Sequence, residues 1–154
     1  MFFFSSGATM ESLFTLSFPM SIEVNLVAVL VAAIANMIIG SIWYGPLFGK
    51  KWMALSGMTK ESIEKCHPNM HAIYAMGFGV SLLMSYVLAH FVALNAVTLS
   101  MAFEAAFWTW LGFIATVSLN SVIWGGRSKN LWLLDNVYYL VSLLVMAGIL
   151  FSWK

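Results

Sequence analysis

Two carboxylates, three histidines and one amide, set in or beside long apolar runs, are where this 154-residue chain could do chemistry. His90 and Glu104 flank the short segment "NAVTLS" (residues 95–100), each about one helical turn from it. If the flanking runs are antiparallel helices, both groups lie at similar depth, where an ion pair offsets the burial of each. Such a pair is either a proton-responsive site or an interfacial pair reaching water, and the second is the plainer reading. Asp135 follows Arg127 and Lys129 at the start of the last run, where those cations and the helix dipole suffice to hold it. Asn36 lies inside the first apolar run. With Glu104 and His90 it makes up the set of binding or coupling candidates.

Metal chemistry finds little support. Cys66, His67 and His71 sit close together, but the two histidines share a helix face only if a helix runs through Pro68, which opposes it. His71 and His90 are 19 residues apart, roughly 28 Å along a helix, so they cannot share a haem iron. The 11 methionines are scattered as packing residues are, without a copper-like spacing. No metal and no cofactor is expected. The chain also lacks a Gly-rich phosphate loop, a Gly-x-Ser-x-Gly elbow and a His-Glu-x-x-His motif, which argues against an enzyme. One cysteine cannot make an internal disulfide, and a net charge of +1 without a basic, aromatic-rich run gives no case for nucleic acid.

The elements that carry these groups follow from composition. Hydrophobic residues are 62% of the chain and charged residues 8%, whereas a soluble domain is about a quarter charged. A fold this small has too much surface to hide such a sequence from water, and lipid removes that difficulty. A bilayer core needs about 20 apolar residues in helix, and residues 24–44, 71–94, 101–124 and 131–153 meet that length. The expected fold is therefore all-α, a four-helix membrane bundle. The link 45–70 has room for a short interfacial helix capped by Thr59 with Glu61 in its first turn.

Basic residues set the expected orientation. Lys50, Lys51, Lys60, Lys65, Arg127 and Lys129 fall at one end of the bundle and only Lys154 at the other. Residues 45–70 and 125–130 should then be cytoplasmic and both termini outside, in a plasma or bacterial inner membrane. In "GSIWYGPLFGKKW", Trp43 and Tyr44 suit the headgroup layer, and Gly45-Pro46 is expected to stop the first helix. No basic region precedes the first apolar run, so no cleaved signal is expected.

Small residues recur every three or four positions on three of the helices. Ala28, Ala32, Asn36 and Gly40 form one stripe, Gly77, Ser81, Ser85 and Ala89 a second, and Ala105, Thr109, Gly112 and Thr116 a third. Such stripes let helix backbones approach closely in lipid. They either build the core of one compact bundle or leave one face for another copy.

With "VNLVAVLVAAI", "GSIWYGPLFGKKWMAL", "WTWLGFIATVSLNSVIWGGRS" and "LWLLDNVYYLVSLLVMAGIL", residues 24–154 resemble the DUF1761 family of small multi-pass membrane proteins. The most specific piece is Gly40, Trp43, Tyr44, Pro46, Leu47, Phe48, Gly49 and Trp52, and Gly112 and Asn136 fit later motifs. The resemblance implies a four-helix membrane bundle of bacterial or fungal type with no assigned activity. It leaves the first 19 residues outside its pattern, so Met20 in "MSIEVNLVAV" reads as a natural start, the alternative being an outer tail over residues 1–23. The expected role is a non-enzymatic bundle in the lipid bilayer, associating with itself or a membrane-protein partner. The alternative is a small oligomeric transporter, proton-coupled through Glu104.

Overall fold

The computed structural model describes residues 23–66 and 69–153. The segment 1–22, with Met20, the pair His67 and Pro68, and Lys154 lie outside the described residues. Six helices and no strand make up the described chain: α1 (Leu26–Leu47), α2 (Gly49–Ser56), α3 (Lys60–Cys66), α4 (Met70–Asn95), α5 (Leu99–Ile123) and α6 (Lys129–Ser152). Helices α1, α4, α5 and α6 have 22, 26, 25 and 24 residues, long and apolar enough to cross a membrane.

Local side chains start three of these helices, α1, α4 and α5. Asn25 Oδ1 accepts hydrogen bonds from the amides of Val27 and Ala28 at 3.0 and 3.2 Å, opening α1. Asn69 caps α4 through the Ala72 amide and Thr98 caps α5 through the Met101 amide. Thr59 accepts from the amide of Ser62 while Ser62 Oγ accepts from the amide of Thr59, a reciprocal cap that opens α3. The link between α1 and α4 thus holds two short helices where one was expected, with Gly57 at φ 70° ending the first of them.

Pro46 does not stop α1. The helix passes through it by widening into a π turn over Trp43–Leu47, closed by the Phe48 amide on the Trp43 carbonyl at 2.9 Å. Proline has no N–H to give, and its ring would strike the carbonyl four residues back in an α turn, so the wider turn accommodates it. A second π turn, Trp110–Ala115, interrupts α5 without a proline. There Thr109 Oγ1 donates to the Ala105 carbonyl and Thr116 Oγ1 to the Gly112 carbonyl, bonds that compete with the backbone ladder.

Packing is close because the inner faces are small. Helices α4 and α6 touch each other and both α1 and α5, which occupy opposite corners. Ala28, Ala32, Ala102, Ala106 and Ala147 are buried between them, with Leu88, Leu143 and Met146 filling the remaining space. The first two small-residue stripes turn inward, with Ala28, Ala32, Asn36, Ser81, Ser85 and Ala89 all buried. The third does not build the core. On α5 the inward positions are Ala102, Ala106 and Ala115, so Gly112 and Thr116 of the stripe are exposed and Ala105 and Thr109 half-buried. At one end of the bundle, Asn25 Nδ2 donates to the Trp153 carbonyl at 3.0 Å and ties the start of α1 to the end of α6.

Candidate functional site

The polar centre lies where α1, α6 and the turn before α6 meet. Asp135 projects from α6 with a side chain only 9% exposed, paired with the guanidinium of Arg127. Tyr44 Oη, from the π turn of α1, donates to the other carboxylate oxygen at 2.9 Å. Gly126 makes this pairing reachable. Its φ of 65° reverses the chain after α5, and the Arg127 amide closes on the Ser121 carbonyl at 3.0 Å. A carboxylate with one cation and one hydroxyl is compensated enough to persist in an apolar bundle.

From this centre, hydrogen bonds run across the bundle. Tyr138, one turn along α6 and 5.0 Å from Tyr44 ring to ring, donates its hydroxyl to Asn36 Oδ1. Asn36 Nδ2 donates to Ser81 Oγ at 2.8 Å, and Ser85 Oγ donates to the Val29 carbonyl, joining α1 to α4. On the other side, Asn136 shares bonds with Ser118, whose Oγ also accepts from Trp132 Nε1, while Trp110 Nε1 donates to the Asn136 carbonyl. Adjacent residues on α6 therefore anchor different partners. Asp135 holds α1 and the turn, Asn136 holds α5.

The segment "GSIWYGPLFGKKW" folds onto this centre. Gly40 lies against the Tyr138 hydroxyl, Tyr44 meets Trp52 edge-on at 6.0 Å, and Trp43 packs on Phe48 at 4.7 Å and Tyr138 at 6.2 Å. Gly49 is fixed by contact. A Cβ there would stand 2.5 Å from the Tyr44 carbonyl oxygen, so the chain leaving the π turn can fold back only over glycine. Pro46 and Leu47 are exposed on the outer side of the turn. A cavity of about 320 Å³ opens beside the centre between Gly40, Ser41, Tyr44, Tyr74 and Tyr138.

The binding candidates are dispersed. Asn36 belongs to the network, but His90 and Glu104 do not pair: the Arg127–Asp135 contact is the one ion pair among the described residues. His90 Nδ1 instead meets the Tyr86 carbonyl at 2.9 Å, with the Tyr86 ring 4.6 Å away. Similar depth does not fix azimuth: Leu88 and Val92 face the core, and the His90 ring lies on a carbonyl of its own helix. Glu104 is exposed, lining a groove of about 440 Å³ between α4 and α5. Among the described residues no group of three or more His, Cys, Asp or Glu could hold a metal. Gly112 is exposed.

Four long apolar helices around an internal polar network define a helical membrane protein. Residues 27–151 match the family model described as protein of unknown function (DUF1761), and the chain belongs to that family. No curated protein and no solved structure matches the chain.

Proposed function

We propose that this protein is a non-enzymatic, multi-pass membrane bundle that assembles with a second copy through the outer face of α5. One observation carries the reading. Gly112, Thr116 and Asn120, each four residues apart on α5, are exposed, and among the described residues nothing beyond the adjoining stretch of α5 comes within 4 Å of a Cβ built at Gly112. In hydrocarbon, small and hydrogen-bonding side chains gain from a facing helix, which acyl chains do not replace. α5 is also the least buried of the four long helices. A two-fold axis along the membrane normal sets Gly112 near Gly112 and Asn120 near Asn120. The basic residues favour residues 45–70 and 125–130 on the cytoplasmic side of a plasma or bacterial inner membrane, with both termini outside.

Oxidative cross-linking tests this. In a Cys66→Ser background, Thr116→Cys should give a covalent dimer in native membranes, and Ile34→Cys on the outer face of α1 should not. Absence of dimer with cysteine at 112, 116 and 120 in turn would overturn the proposal. Glu104, exposed in its helix and without a cation beside it among the described residues, favours a second reading as a small proton-coupled transporter. Full proton-linked flux in Glu104→Gln would remove that reading.

A further inference from the structure

We infer that the groove between α4 and α5 around Glu104 is a binding site for an amphiphilic ammonium ion. The groove is complete in one copy of the chain, so this site requires neither self-association nor transport. Its volume, about 440 Å³, is that of a small-molecule site. Its lining is graded along the helices. Asn95 ends α4 and Glu104 lies five residues after Leu99, about 8 Å along α5, so both polar groups sit near the mouth. Phe91, Trp108 and Phe113 line it deeper in, one or more turns toward the middle of the bundle.

The polar groups are mainly acceptors, with the one charge among them negative. Asn95 Nδ2 gives one of its two N–H groups to the Phe91 carbonyl at 3.0 Å, which leaves its amide oxygen and one N–H. Thr109 donates its hydroxyl hydrogen to the Ala105 carbonyl at 2.7 Å. Glu104 brings a carboxylate with no cation against it among the described residues. A ligand that satisfies these atoms must bring positive charge and N–H donors, with an apolar body to lie along the rings. A zwitterionic phospholipid head fits poorly, because its ammonium comes with a phosphate. Six of the seven basic residues, Lys50, Lys51, Lys60, Lys65, Arg127 and Lys129, belong to the opposite end, and the seventh, Lys154, lies outside the described residues. The occupant that the Glu104 carboxylate and the rings fit is a single-tailed organic cation that enters from the bilayer, head toward the mouth and tail inward.

Equilibrium binding of radiolabelled dodecylammonium to the full chain in phosphatidylcholine nanodiscs, corrected for empty discs, tests this at neutral pH. The expected result is saturable binding of one cation per chain, unaffected by excess dodecanol or dodecylphosphocholine. Glu104→Gln should weaken it at least tenfold with helicity and elution volume unchanged, and Glu104→Asp should retain most of it. If Glu104→Gln fails to assemble, Trp108→Leu, altering an exposed ring, is expected to weaken binding at least threefold. Non-saturable uptake, equal binding by the Gln or Leu variant, or displacement by dodecanol or dodecylphosphocholine would each overturn the proposal.

Discussion

At the scale of single residues, the stakes are highest around Asp135. Tyr44→Phe removes a hydrogen bond to a buried carboxylate and should cost about 2 kcal/mol, read from reversible unfolding in mixed micelles. Arg127 is a different case, because its side chain is 36% exposed and partly screened by water. A double-mutant cycle of Arg127→Met with Asp135→Asn should return a coupling of about 1 kcal/mol, well below the 3–5 kcal/mol lost when a fully buried pair is broken. A coupling of zero would mean that Tyr44 alone holds the carboxylate. Gly49→Ala forces backbone atoms apart and should destabilise by about 1–3 kcal/mol, whereas Gly112→Ala adds a methyl to open space and should leave the isolated bundle unchanged.

At the scale of elements, the four long helices were legible because hydrocarbon thickness sets a length that a window of apolar residues reports directly. Asn69→Ala, which deletes a cap on an exposed helix start, should cost about 1 kcal/mol by the same unfolding measurement. What escaped the sequence depended on rotation and on contacts far apart in the chain. Pro46 read as a stop because an α turn rejects it, and only the π turn shows that a helix has a wider alternative. Asp135 read as a residue satisfied by nearby cations, which is right for Arg127 eight positions back but silent about Tyr44, 91 positions away. His90 and Glu104 failed to pair because helix length fixes height and leaves azimuth to packing. The third small-residue stripe was visible, but which way it faced was not, since Ala102 and Ala106 offered α5 an equally small face one residue round.

At the scale of the whole molecule, orientation and assembly are open to direct test. A cysteine at Ser56 in a Cys66→Ser background should resist an impermeant thiol reagent applied to intact cells and react once the membrane is permeabilised; labelling from outside would invert the proposed topology. Asn120→Leu should weaken the proposed dimer by about 1 kcal/mol, roughly fivefold, without lowering the stability of the single bundle. The bond from Asn25 to the Trp153 carbonyl has a consequence of another kind. It brings residue 25 beside residue 153, so the polypeptide of the bundle is nearly a closed circuit whose opening need not fall where it does. A circular permutant that bridges 153 to 25 with a few glycines and begins at Lys60, after the left-handed Gly57, should rebuild the same four-helix packing with its new ends at the basic pole. Membrane insertion would then have to start from what is now the second long helix, separating the information that folds this chain from the information that threads it.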